Sequence, residues 1–127
     1  MWDNVGMSRS KESLLRALDL IPKIKKEFLE NVNIPGLNEE FNPELEKAGR
    51  LADFIDLGEL MARDALNREE SCGGHFREEH QTPENEAKRD DENFSFVSSW
   101  EYNKDEHQLH KEKLHFENVK VGTRSYK

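Results

Sequence analysis

The chain has 127 residues, of which 36% are charged and 34% hydrophobic, and its net charge is −8 at pH 7. This length fits one domain, and the excess of acidic residues argues against a bulk anion such as DNA or a phosphatidylserine surface as partner. The apolar runs are too short for a transmembrane helix, and no secretory signal is found. The single cysteine excludes an internal disulfide and agrees with a reducing compartment.

Hydrophobic residues are distributed unevenly along the chain. Residues 1–67 contain 29 of the 43, and residues 68–127 contain the other 14. The first part can therefore supply a core by itself, whereas the second must pack against another surface.

The first predicted helix starts at Ser10, which can cap it. Hydrophobic residues recur every three or four positions from Leu14 to Phe28, as one face of a helix requires. Pro22 should bend or split this helix, because it removes a backbone hydrogen bond. The proline and glycine in residues 32–41 predict a loop.

A second helix is predicted from Pro43, with Asn42 as its cap, to about Arg68. Apolar residues cover more than half of its circumference, so it needs at least two packing partners. One is the first helix, and residues 1–7 are a candidate end of another, with an abrupt start at Trp2 that suggests a piece of a longer chain. The sequence thus predicts a small, mainly α bundle of about three helices over residues 1–77.

The remaining sequence predicts an acidic loop and a β-hairpin. Residues 78–92 contain seven acids and two bases, and we expect a solvated loop over 78–93. Over residues 94–127 we expect two strands and an extended tail, with a turn at 103–106, all in one domain with the bundle. The apolar strand positions alternate as a sheet face requires: Phe94, Phe96, Trp100 and Tyr102 in the first strand, Leu114 and Phe116 in the second.

Residues 68–77 form the most unusual segment and allow four interpretations. Gly73 and Gly74 could simply end the second helix. Cys72 and His75 could form a thiolate–imidazole pair. Cys72, His75 and His80 could bind zinc, although a single sulfur leaves a structural site incomplete.

The fourth interpretation is a charged segment that docks against another domain, with these candidate residues: Arg68, Glu70, Ser71, His75 and Arg77. Elsewhere the sequence offers only surface histidines at positions 107, 110 and 115 and loop carboxylates at 39–40 and 90–91. No dinucleotide, phosphate-loop, zinc-protease or EF-hand motif occurs. These patterns by themselves identify no catalytic, cofactor-binding or metal-binding residue.

Three stretches together resemble the C-terminal part of the succinate dehydrogenase/fumarate reductase flavoprotein subunit. They are Arg68-x-Glu70-Ser71-Cys72-Gly73-x-His75-x-Arg77, then Arg89-Asp90-Asp91-x-Asn93-Phe94, and finally Arg124-Ser125-Tyr126. The opening Met1–Gly6 and Arg9 resemble the family's entry into its helical domain. Most members have arginine where this chain has Cys72, and the details look most like fumarate reductases of the Bacteroidetes type. L-aspartate oxidase is the nearest competing family.

The resemblance implies a non-catalytic C-terminal domain of an enzyme that interconverts fumarate and succinate through FAD. It also implies two partners, an iron–sulfur subunit and, indirectly, a quinone-reactive membrane anchor, on the cytoplasmic face of a bacterial inner membrane. The FAD-binding and capping domains would precede this region, so the chain itself would bind no cofactor. The alternative is a free-standing helical interaction module.

The resemblance further implies that residues 68–77 lie beside the flavin domain. We then expect Arg68→Ala or Arg77→Ala to change the stability of the isolated chain by less than about 1 kcal/mol, as surface substitutions do. In the other interpretation, Arg77 or Glu70 satisfies buried backbone groups within this domain.

Overall fold

The structure is a computed structural model that describes residues 1–36, 41–103 and 106–123. Its elements, in chain order, are β1 (Ser8–Arg9), α1 (Lys11–Asn31), α2 (Pro43–Asn67), β2 (Phe76–Arg77), α3 (Asp91–Phe94), β3 (Phe96–Asn103) and β4 (Glu106–Lys113). Of the described residues, helices account for 43%, and strands together with isolated bridges for 21%. The fold is therefore mixed rather than mainly α, since one of the three helices has only four residues.

The chain divides into two compact units, Met1–Asn67 and Arg68–Lys127. In the first, α1 begins as predicted: the Ser10 hydroxyl accepts from the Ser13 amide at 3.1 Å, and the Ser13 hydroxyl accepts from the Ser10 amide at 3.0 Å. The helix continues without interruption through Pro22. One lost hydrogen bond is thus outweighed by the burial of the apolar face on either side of it.

The second helix also has the predicted limits. The Asn42 side-chain oxygen accepts from the amides of Glu44 and Leu45 at 3.1 and 3.3 Å, which satisfies two free amides of the first turn. Small residues form its buried side, and they allow α1 to approach closely. The core of this unit consists of Val5, Leu14, Ala17, Ile21, Ala62 and Ala65.

The predicted third helix of the bundle is absent from the N-terminal segment. Residues 1–7 form a turn in which the Met1 carbonyl accepts from the Val5 amide at 2.7 Å. The Met1 side chain instead lies against α2 at Gly58, where a Cβ would come within 3.1 Å of the Met1 sulfur. After this single turn the chain bends at Gly6 and extends into β1 at Ser8, so the turn does not continue as a helix.

In the second unit, the predicted acidic loop contains helix α3, which Asp90 caps by accepting from the Asn93 amide at 3.3 Å. Phe94 ends this helix and does not belong to a strand. The hairpin is present, but its second strand is the polar segment β4 rather than a strand through Leu114 and Phe116. The antiparallel register pairs Phe96 with Lys113, so the strand ends before those two apolar residues.

Some predictions fall outside the described residues: the carboxylates Glu39 and Glu40, positions 104–105 of the turn, and Arg124-Ser125-Tyr126. No helix in the described part of the chain is long and apolar enough to cross a membrane.

The core of the first unit can be tested with neighbouring leucines. Leu14 is fully buried and Leu15 is 49% exposed. We expect Leu14→Ala to lower the free energy of unfolding by about 2–5 kcal/mol, because it leaves a cavity, and Leu15→Ala to lower it by much less. Urea unfolding followed by circular dichroism at 222 nm measures both. Equal losses would contradict the assignment of this core.

Candidate functional site

Arg68 is the hub of the segment singled out in the sequence. One guanidinium nitrogen donates to the Phe94 carbonyl at 3.0 Å and the other to the Phe96 carbonyl at 3.1 Å. The guanidinium carbon lies 5.8 and 5.1 Å from the centroids of the two phenylalanine rings, within the range of cation–π attraction. Arg68 thus ties the start of this unit to the junction between α3 and β3.

The buried carboxylate of Glu70 completes this arrangement. Its Oε1 lies 2.6 Å from the nearest guanidinium nitrogen of Arg68, and its Oε2 accepts from the Asp90 amide at 2.9 Å. Glu70 is only 3% exposed, so these bonds must replace the lost hydration of its charge. The pair is therefore an internal connection between three segments of the second unit.

Ser71 and Arg77 form a second connection. The Arg77 amide donates to the Ser71 hydroxyl at 2.8 Å, and that hydroxyl donates to the Arg77 carbonyl at 3.2 Å. Both residues are buried. The guanidinium of Arg77 lies 3.1 Å from the carboxylate of Glu79 and 3.4 Å from the Arg68 carbonyl.

Between these two residues the chain makes a tight turn. The Cys72 and His75 amides each donate to the other's carbonyl, at 2.8 and 3.0 Å. Gly73 has a φ of +58°, the conformation that a glycine at the first central position of such a turn readily adopts. The prediction that Gly73 and Gly74 end the second helix is therefore wrong, because α2 already ends at Asn67.

The thiol–imidazole and zinc interpretations gain no support from this geometry. The Nε2 of His75 lies 2.9 Å from the Arg68 carbonyl, and because a carbonyl only accepts, this nitrogen carries the proton. The ring is thus oriented by the backbone. In the described ranges, no group of three or more His, Cys, Asp or Glu side chains is arranged to hold a metal ion.

The second sequence stretch, Arg89–Asp91, flanks the Arg68–Glu70 pair, because the Asp90 amide is the donor to Glu70. Arg89 donates to the Asp91 carboxylate at 2.9 and 2.6 Å and to the Gly122 carbonyl at 3.1 Å. The hydrogen bond to Asp91 raises the pKa of Arg89, so this side chain stays cationic across the physiological range. Arg89 thereby holds part of the C-terminal tail.

The structure brings all five predicted docking residues together, and it adds partners that the sequence analysis missed. The acceptors of Arg68 are the carbonyls of Phe94 and Phe96, and the donor to Glu70 is a main-chain amide. Main-chain groups leave no signal in residue identity. Only the position of the Arg-Asp-Asp run, next to these groups, could have indicated them.

Comparisons with known proteins agree with one another. Residues 1–126 match the family described as "Fumarate reductase flavoprotein C-term". The fumarate reductase flavoprotein subunit of a Serratia species is 33% identical over 94 residues, which is 74% of this chain and 15% of that protein. A fumarate reductase (CoM/CoB) subunit of Methanothermobacter marburgensis is 35% identical over 89 residues, 70% of this chain and 16% of that protein.

Solved structures show the same fold. A mutant of E. coli quinol fumarate reductase FrdA covers 97% of this chain with a TM-score of 0.80 and 24% identity, over 20% of its own length. A quinol–fumarate reductase with menaquinol molecules covers 91% of this chain with a TM-score of 0.73 and 25% identity, over 19% of its own length.

Fold and sequence therefore define the C-terminal part of a flavoprotein oxidoreductase subunit. The chain belongs to the fumarate reductase/succinate dehydrogenase flavoprotein family, as its C-terminal domain. It spans about one seventh of the length of the curated relatives it matches.

The described residues of this chain do not form a binding site for FAD, the cofactor that the family implies. A dinucleotide site needs a glycine-rich turn between a strand and a helix, whereas Gly73 lies in a turn between the paired residues Cys72 and His75. The buried charges of the segment are occupied by one another and by backbone groups. No step of flavin chemistry is assigned to a residue in the described ranges.

These contacts replace the expectation that the segment is dispensable for stability. We expect Glu70→Gln to lower the free energy of unfolding of the second unit by about 1–3 kcal/mol, because it removes one partner of a buried charge-assisted network. Arg77→Ala should cost at least as much, since Arg77 is 2% exposed. Glu69→Gln is the matched control, because Glu69 is exposed, and should stay within about 0.5 kcal/mol.

Urea unfolding followed by the fluorescence of Trp100 measures these changes, in a Trp2→Phe background that removes the other tryptophan. Trp2 is 92% exposed, so its replacement leaves the structure intact. If Glu70→Gln and Glu69→Gln unfold alike, the network does not stabilise the unit.

Cys72 should behave as an ordinary thiol without bound metal. A structural zinc site needs four ligands, and one imidazole nitrogen of His75 already donates to the backbone. Elemental analysis of the dialysed chain should therefore find far less than one zinc per chain, while a thiol reagent titrates Cys72. A stoichiometric zinc content that Cys72→Ser removes would contradict this.

Proposed function

We propose that this chain serves an enzyme that interconverts fumarate and succinate through FAD, and that the chain itself is non-catalytic. The observation that carries the proposal is the family match over residues 1–126, together with a charged segment whose polar groups are used internally rather than presented to a substrate. The FAD would be bound by the parent subunit's preceding FAD-binding and capping domains.

We infer the partners from the same relatives. Electrons would pass between the flavin, the clusters of an iron–sulfur subunit and a quinone-reactive membrane anchor. The anchor would be an indirect partner of this domain. The solved neighbours named as quinol fumarate reductases support this route. The corresponding location is the cytoplasmic face of a bacterial inner membrane, within a membrane-associated complex.

Residues 1–127 would act together as one C-terminal domain, in which 1–77, 78–93 and 94–127 are successive segments. Exposed apolar side chains on α2 support its packing against the rest of the parent subunit: Phe54, Leu57 and Met61 are 48–64% exposed and lie three and four positions apart, on one face of the helix. A contiguous apolar surface of this kind marks an interaction site.

We propose that residues 68–77 take part in this docking through their shape. Glu70, Ser71 and Arg77 are buried and cannot themselves contact another domain, whereas Gly73 and Gly74 are exposed. Arg68 and His75 would hold the turn in place, and its two glycines would let a neighbouring backbone approach closely.

The chain purified alone should be colourless and should not reduce fumarate with a reduced viologen dye, because it has no cradle for the flavin phosphates. Absorption near 450 nm and the dye assay measure this. Stoichiometric flavin in the purified chain would contradict the proposal.

The parent subunit gives the complementary test. Glu70→Gln there should lower fumarate reduction and loosen the domain to proteolysis, while Glu69→Gln should not. A gene that encodes no flavin-binding domain before this region would favour a free-standing interaction module instead.

A further inference from the structure

The two faces of the β3–β4 hairpin differ in chemistry. The register places Phe96, Ser98, Trp100, Tyr102, His107, Leu109, Lys111 and Lys113 on one face, which we call the aromatic face. The other face, which we call the acidic face, carries Val97, Ser99, Glu101, Asn103, Glu106, Gln108, His110 and Glu112. Aromatic and cationic side chains are thus separated from the glutamates by the thickness of one sheet.

Three contacts confirm this division. The Lys111 ammonium lies 4.5 Å from the centroid of the Phe96 ring. The rings of Tyr102 and His107 meet edge to face at 5.4 Å. On the opposite face, His110 lies 2.8 Å from the Glu101 carboxylate.

The hairpin has an open edge along β4. Within the described residues, β3 and β4 form a sheet of two strands, so β4 has a strand neighbour on one side only. The Leu114 amide donates to the Ser95 carbonyl one step beyond the last pair of the register. The backbone groups of Leu114 therefore face β3. In an antiparallel ladder, residues whose backbone groups face the neighbouring strand alternate with residues whose backbone groups face away from it. The residues of β4 whose amides and carbonyls face away from β3 form what we call the β4 edge: His107, Leu109, Lys111 and Lys113.

We propose that the β4 edge accepts an extended, acidic segment of a partner protein as a third strand. Its main chain would bond to the outward amides and carbonyls, as in other cases of strand addition. Its side chains on the aromatic face would be carboxylates opposite His107, Lys111 and Lys113, and an apolar residue opposite Leu109. A two-stranded hairpin is marginally stable in water, and a third strand stabilises it.

Charge selects this occupant over a second copy of the chain. Two β4 edges could pair antiparallel in several registers, but in each of them Lys and His lie opposite Lys, His or Leu. No register supplies a carboxylate opposite a lysine, and like charges directly opposite one another are unfavourable. Lysines on an exposed edge prevent such self-pairing and at the same time attract an acidic strand.

Charge also selects it over an anionic membrane. A membrane surface in contact with the aromatic face would attract its lysines. It would also repel the three glutamates of the acidic face, because they lie within roughly one Debye length, about 8 Å, of that membrane surface. A discrete carboxylate next to Lys111 lies closer to the ammonium than to these glutamates, so for a single side chain the attraction exceeds the repulsion.

The probe is the heptapeptide Glu-Lys-Glu-Thr-Val-Thr-Glu, capped at both ends, which places glutamates and valine on the aromatic face when it lies antiparallel to β4. The control peptides are the charge-reversed Lys-Glu-Lys-Thr-Val-Thr-Lys and the first peptide with its valine and central glutamate amides N-methylated. Titration into the full chain, followed by amide NMR shifts and hydrogen exchange, reports binding.

We expect the acidic peptide to slow the exchange of the Leu109, Lys111 and Lys113 amides, and both control peptides to leave it unchanged. Lys111→Thr should weaken binding about two- to fivefold, the effect of one exposed ion pair. Lys111→Pro also removes an outward amide and should weaken binding about tenfold further. Lys120→Glu, an exposed lysine outside the strand, should have no comparable effect.

Three results would overturn the proposal. The first is unchanged exchange at the β4 edge with the peptide at millimolar concentration, or equal binding of the N-methylated peptide. The second is a dimer in sedimentation that Lys111→Pro dissociates, which would make a second copy the occupant. The third is Lys111-dependent binding to phosphatidylserine vesicles but not to the peptide.

Discussion

The second unit depends on one charged group, the guanidinium of Arg68. It reaches two carbonyls more than 25 residues away in sequence and a carboxylate two residues away. A planar guanidinium can satisfy several acceptors at once and still lie against aromatic rings, which an ammonium cannot do equally well. The path of residues 68–96 follows from this arrangement, because both ends of the segment are fixed to the same side chain.

The composition explains why a polar hub is used here. Residues 68–127 have too few apolar residues to bury a core like the one formed by Leu14, Ile21 and Ala62 in the first unit. Glu70, Ser71 and Arg77 take the interior positions instead, and each is compensated by hydrogen bonds. Stability in this unit comes from the geometry of the network, so it is sensitive to the loss of any one partner. The same residues that make the family recognisable are therefore structural within this domain.

The surface is as informative as the interior. Helix α2 leaves large apolar side chains exposed, and within the described residues β4 has no strand neighbour on the side away from β3. The two features favour different kinds of partner. An apolar helix face suits a broad, permanent contact with the rest of a subunit, whereas a charged strand edge suits an extended acidic segment. We propose that the domain contributes to the parent enzyme through these two kinds of contact.

The sequence by itself determined the local elements and the family. The caps at Ser10 and Asn42, the limits of both long helices and the existence of a hairpin follow from side-chain types at fixed spacings, since these are short-range effects. The motif at 68–77 was identifiable because its residue types are unusual together. The tertiary structure alone decided what that motif does: Arg68 and Glu70 bond to main-chain groups of residues 90–96, and main-chain groups are the same in every sequence. The register of β4, and with it the exposed position of Leu114 and Phe116, was likewise decided by pairing across the hairpin, which alternation along a single strand does not specify.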